Sequence, residues 1–110
     1  MPNCSKGEVI LVRYPFSNLS GSKVRPGVVV NAPHVSQDFI IVPLTSKVSH
    51  LLAGEFVLTD WKAAGLNVAS AAKRRLYTVH QSLVIKSVGS LSAKDAGMLD
   101  DSLRDWLALR

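Results

Sequence analysis

Arg25 stands directly before Pro26. A guanidinium suits a phosphoryl group, because its planar donors bind two oxygens at once and its charge persists at every working pH. The same residue fits a solvated arginine at the start of a strand. Thr45 and Ser46 offer adjacent hydroxyls that can donate to a phosphoryl oxygen, or that simply end a strand and open a turn. Lys73, Arg74 and Arg75 lie beside Tyr77. Positive charge next to an aromatic face grips single-stranded nucleic acid through phosphate contacts and base stacking. On a strand, Lys73 and Arg75 share a side with Tyr77, while Arg74 points with Leu76. The other reading puts Tyr77 in the core and leaves the cations as a solvated rim. His80 carries a ring that titrates near neutral pH and is a candidate acid or base, although a lone histidine after a strand serves structure as readily. Phe16, Asn18 and Lys23 sit where they can touch a base or a protein partner, or where Phe16 anchors its segment in the core.

Other chemistries fit poorly. The only cysteine is Cys4, so no intrachain disulfide forms and a reducing cytoplasm is the expected compartment. His34, His50 and His80 show no zinc-site spacing, and no metal or cofactor is expected. No apolar run is long enough to span a bilayer, and the first residues lack a signal peptide's apolar stretch, so no membrane partner is expected. The 110 residues carry 13 Lys+Arg against 8 Asp+Glu, a formal charge of +5. Residues 1–94 hold 11 basic and 4 acidic side chains (+7), and residues 95–110 hold 2 basic and 4 acidic (−2). That basic part can meet a polyanion or an acidic protein, or serve only solubility.

The candidate groups need elements that bring positions 16 to 80 together. EVILVRY (8–14) reads as a largely buried first strand. PFSNLSGSK (15–23) is dense in turn residues and predicts a loop whose length suggests a role. A second strand is expected from Pro26 to about Ala32, with the proline at its first position, and FIIVPLTS (39–46) is the third. Residues 55–58 form a short fourth strand. Thr59 or Asp60 then caps a helical turn over Trp61–Ala64, which Gly65 closes in the left-handed conformation. Residues 70–79 read as one strand, 80–86 as a turn or a single helical turn, and 87–88 as a last short strand. Ser92 and Asp95 form a weak capping box before a C-terminal amphipathic helix that turns Ala96, Leu99, Leu103, Trp106 and Leu107 toward the sheet. The expectation is one domain over residues 1–110, mainly β with a C-terminal helix (α+β), curled into a small barrel.

The order of several short motifs resembles the PemK/MazF family of toxin endoribonucleases. They are Gly7-Glu8-Val9, Tyr14-Pro15-Phe16, Lys23-Val24-Arg25-Pro26 followed by GVVV, Pro43-Leu44-Thr45-Ser46, Trp61 with Ala64-Gly65-Leu66, Ser70, Leu76-Tyr77-Thr78, and Gly89-Ser90-Leu91-Ser92. The resemblance implies an SH3-like, PemK/CcdB-like barrel, usually a cytoplasmic homodimer, that cleaves single-stranded RNA without a metal. It implies Arg25 and Thr45 as the catalytic pair. Phe16, Asn18, Lys23, Ser46, Lys73, Arg75 and Tyr77 are the expected RNA-binding residues, and His80 is a possible acid or base. Some family members carry an aspartate on the strand matching 70–78, where this chain has Lys73-Arg74-Arg75 and no carboxylate. The implied partners are mRNA, an antitoxin with an acidic or amphipathic tail that competes for the RNA surface, and operator DNA bound with that antitoxin.

Two other functions compete with the nuclease: a toxin of the same fold acting on a protein such as DNA gyrase, and a non-catalytic module that binds nucleic acid or antitoxin. Loss of cleavage on Arg25→Ala, inhibition of supercoiling without RNA breakage, and binding without cleavage separate the three.

Overall fold

Strand β1 (Glu8–Tyr14) is covered on both faces, which is why its sequence is a nearly continuous apolar run. Val9 packs on one side with Val28, Val42, Leu44, Leu58, Ala64, Ala72 and Leu99. Ile10 and Val12 pack on the other with Cys4, Val29, Phe39, Ile41 and Val79. The structure is a computed structural model that describes residues 4–14 and 23–109. The expected loop over 15–23 lies outside the described residues except for Lys23, which belongs to a strand.

Around β1 the antiparallel sheet adds β2 (Lys23–Val29), β3 (Asp38–Thr45), β4 (Phe56–Val57), β5 (Ala71–Ala72), β6 (Tyr77–His80) and β7 (Val84–Ser90). The strand order is β4-β5-β3-β2-β1-β7, and β6 also pairs with β3. Strand β3 therefore forks: Asp38–Ile41 pair with β6, and Leu44–Thr45 pair with β5. The result is an open, barrel-like sheet of seven strands with one helix, α1 (Ala93–Leu107), as the expected fold class requires. No helix among the described residues is long and apolar enough to cross a membrane.

Several boundaries differ from the sequence reading, and β2 ends at Val29 rather than near Ala32. Strand β2 begins at Lys23, with Pro26 inside it opposite Leu11. Pro26 is tolerated there because β3 pairs only with Gly27–Val29 and has already left that edge. The fourth strand is only Phe56–Val57. Residues 70–79 split into β5 and β6 because Lys73 N–H still bonds Pro43 O (3.0 Å), whereas Arg74 N–H turns to the Glu55 carboxylate (3.1 Å) and leaves the ladder. Strand β7 is longer than expected and pairs with β1 across two register shifts, after a 3-10 turn over Gln81–Leu83.

The segment 59–65 makes the expected single turn, with Ala64 N–H on Asp60 O (3.2 Å), Leu66 N–H on Trp61 O (3.1 Å), and Gly65 at φ +88°. Its start is held from α1. Asp95, wholly buried, accepts Thr59 N–H on Oδ1 and Asp60 N–H on Oδ2, both at 2.9 Å. Ser92 caps α1 by accepting Asp95 N–H (3.2 Å), so only half of the capping box forms, and the acidic partner serves the turn instead. Gly65 and Gly89 let that turn touch β7: a Cβ on Gly65 would overlap the Val88 carbonyl, and one on Gly89 the Ala64 carbonyl.

Helix α1 buries Leu99 and half-buries Leu103, but Trp106 and Leu107 are 40% and 42% exposed rather than buried. The second half of α1 borders an open groove, where Leu103 and Leu107 share the lining with Val30, Ile40 and Leu76.

Candidate nucleic-acid groove

The sheet face that α1 covers at one end is left open at the other, where Leu11, Pro26, Lys86 and Val88 lie across β1, β2 and β7. The register explains the grouping, since Leu11 pairs with Pro26 on one side and Lys86 on the other. A groove of about 740 Å³ results, walled by the ends of β2 and β3 and by the segment 65–68 that follows the turn.

Six cations line it: Lys23, Arg25, Lys47, Lys73, Arg75 and Lys86. Among the described lining residues there is no carboxylate and no histidine. Lys73 alone is paired, its Nζ 3.4 Å from Glu55 Oε2 behind the wall. The Glu55 side chain is 2% exposed and also accepts Leu52 N–H (2.9 Å) and Arg74 N–H (3.1 Å). The Leu52 N–H, followed by the Arg74 N–H and the Lys73 ammonium, holds the Glu55 carboxyl below its ordinary range against the opposing effect of burial. The other five cations make no ion pair with a described residue. Unneutralised cations around one concavity raise the local concentration of a polyanion, and each phosphate they neutralise releases counterions.

Arg25 and Thr45 share this groove, with Arg25 exposed on β2 and Thr45 at the end of β3. Thr45 Oγ1 accepts Lys47 N–H at 3.1 Å, which fixes the hydroxyl and leaves its proton to donate. Ser46, Lys23, Lys73, Arg75 and Tyr77 line the same cavity. Lys73, Arg75 and Tyr77 do face together, although the strand assumed for them is broken, while Leu76 packs into the core beside α1. Tyr77 is half-buried, with its body against the other core.

His80 is elsewhere: it is exposed, does not line the groove, and caps the 3-10 turn through Nδ1, which accepts Ser82 N–H (3.1 Å). The structure does not bring it to Arg25 and Thr45. Phe16 and Asn18 lie outside the described residues. Sequence reasoning missed Lys47, Lys86 and Asn67. Lys47 carried a signal, since it adjoins the Thr45-Ser46 pair; Lys86 and Asn67 enter the groove only through strand pairing and the closure of the 59–65 turn.

A curled antiparallel sheet with a C-terminal helix and an uncovered cationic groove defines a small β protein suited to holding a polyanion. The family described as PemK-like, MazF-like toxin of type II toxin-antitoxin system matches residues 5–107, and the chain belongs to it. The fold is shared with the MazE-MazF complex (Form-II) of Deinococcus radiodurans, at TM-score 0.80 and 13% identity over 100% of both chains. It is shared with the Mycobacterium tuberculosis toxin MazF-mt6, at TM-score 0.71 and 20% identity over 94% of this chain and 98% of that one. An endoribonuclease in complex with its cognate antitoxin, from a mycobacterial species, aligns at TM-score 0.76 and 12% identity over 97% of each chain. No curated protein matches the sequence.

Proposed function

We propose that this chain is the toxin of a type II toxin–antitoxin pair and that it cleaves single-stranded RNA at the Arg25–Thr45 groove, without a metal, by attack of the ribose 2′-hydroxyl on the adjacent phosphate. The observation that carries the reading is the gathering of six cations and the Thr45-Ser46 hydroxyls around a cavity with no carboxylate among its described lining residues. Such a reaction needs an in-line geometry, and it needs donors aimed at the phosphoryl oxygens where charge accumulates. Arg25 supplies two parallel donors and a full charge. The Thr45 hydroxyl, held by Lys47 N–H, donates to the same phosphoryl group. Lys23, Lys73, Arg75 and Lys86 track the backbone, and Tyr77 lines the groove where a base meets its ring. An acidic antitoxin segment fits the same cations and is expected to compete with RNA.

The test is a cleavage time course on mixed-sequence single-stranded RNA in EDTA. Defined cuts leaving 2′,3′-cyclic phosphate are expected, with Arg25→Ala and Thr45→Ala each slower by about 100-fold or more, the usual cost of removing an oxyanion donor. Arg25→Lys should fail to restore the rate, because an ammonium lacks the planar pair of donors. Intact RNA from the folded wild-type protein would overturn the nuclease reading, and RNA binding without cleavage would favour the non-catalytic module.

A further inference from the structure

The cationic contacts grip any RNA alike, because phosphate charge carries no sequence. A base is chosen by groups that offer donors and acceptors to its edge, and a neutral amide offers one of each without adding phosphate attraction of its own. Among the described residues lining the groove, Asn67 is the only amide. It is exposed and its side chain makes no hydrogen bond to a described residue, so both its donor and its acceptor are unspent. Of the hydroxyls nearby, Ser70 Oγ donates to Val68 O (3.0 Å) and Thr45 Oγ1 accepts Lys47 N–H, while Ser46, like any hydroxyl, presents a single oxygen rather than a donor and an acceptor side by side.

The support under Asn67 is stiff. The Asp95 carboxylate fixes the start of the preceding turn, and Gly65 lies against the Val88 carbonyl with no room for a side chain. Ser70 O accepts Leu58 N–H at 2.9 Å and ties the far end of the segment to the strand before the turn. A reader held at both ends loses little entropy when it meets its base.

We propose that Asn67 is the base-selecting residue of this groove and that it reads adenine. The proposal rests on the RNA-binding reading above. An amide offers one acceptor and one donor side by side. Adenine presents the complementary pair, N6–H with N1 or N6–H with N7, on both of its exposed edges, and in single-stranded RNA either edge is free. Every base offers a neighbouring donor and acceptor on its pairing edge, but adenine alone repeats the match on its Hoogsteen edge, where guanine presents two acceptors and the pyrimidines present no such pair.

The test sequences fragment ends from a randomised single-stranded RNA pool cut by wild type, Asn67→Ala and Asn67→Asp. A parallel arm selects a randomised 2′-O-methyl RNA pool by binding, since that pool cannot be cut. Adenine is expected to be enriched at one fixed position from the cut, and both variants should lower that enrichment by about 5- to 150-fold, the worth of one bidentate base contact. Asn67→Asp keeps the shape and the acceptor oxygen but replaces the NH2 donor with a second oxygen, so its failure separates pairing from packing. Wild-type cutting whose base profile is unchanged in both variants, or an Asn67-dependent preference for another base, would overturn the proposal and leave the nuclease reading intact. Asn67-dependent adenine enrichment in the bound pool from a protein that cuts nothing would support the proposal and overturn the nuclease.

Discussion

Replacing Asp95 with alanine isolates the clamp that joins α1 to the groove wall. The wild-type carboxylate takes two backbone N–H groups, Thr59 and Asp60, at 2.9 Å each from a side chain with no exposure. A hydrogen bond to a charged partner contributes about 1.5–3 kcal/mol, so both together set an upper range of about 3–6 kcal/mol. Thr59 is exposed and Asp60 half-buried, so water reaches part of what is lost, and about 3 kcal/mol is expected. A domain of this size is stable by roughly 5–15 kcal/mol, and the variant should therefore still fold. In urea, with a slope of about 1–1.5 kcal/mol per molar, the midpoint should fall by about 2–3 M. Asp95→Asn keeps one acceptor but turns an NH2 toward an N–H, and should lose more than half as much. Amide exchange should quicken at Ala64 and Leu66, which bond within the turn, more than in β1. A loss below about 1 kcal/mol, or exchange unchanged at those amides, would show that the turn holds itself and refute the clamp.

Glu55→Gln should destabilise the fold most near neutrality. The native carboxyl titrates below its ordinary value of 4.5, so its stabilising contribution is fully present above that value and fades as pH falls through the lowered native one. Urea unfolding of both proteins at about pH 7 and about pH 3 checks this, and a difference that does not shrink in acid would refute it. Lys86→Ala should weaken RNA binding across all sequences and reduce the slope of log affinity against log salt by about 0.7, one phosphate's share on a single strand. An unchanged slope would remove Lys86 from the RNA path.

The first strand was legible at both ends because β1 is buried on two faces, and a fully buried strand must be apolar throughout. The short turn closed by Gly65 and the Ser92 cap were legible because they depend on local backbone chemistry, a positive φ and a side-chain acceptor. The break between β5 and β6 was not: it is made by Glu55, 19 residues from Arg74, and no local preference encodes that competition for one N–H. Trp106 and Leu107 repeat at helical spacing, yet periodicity says only that a stripe exists and not how much of it the rest of the fold covers.

The chemistry divides along the same line. Arg25, Thr45, Ser46 and the 73–77 cluster were visible as residue types that suit phosphate and bases, since that suitability belongs to the side chain itself. His80 looked equally eligible as a titratable ring, and only its position on the 3-10 turn, bonded to Ser82, took it away from the others. Lys86 and Asn67 had no signal, for one is brought in by pairing with Leu11 and the other by the folding of 59–65 onto β7. By itself the sequence determined which groups can hold a phosphate, because donors and charge are properties of single residues. Tertiary structure decided which of them share one groove, because that depends on strand register and on contacts between residues far apart in the chain.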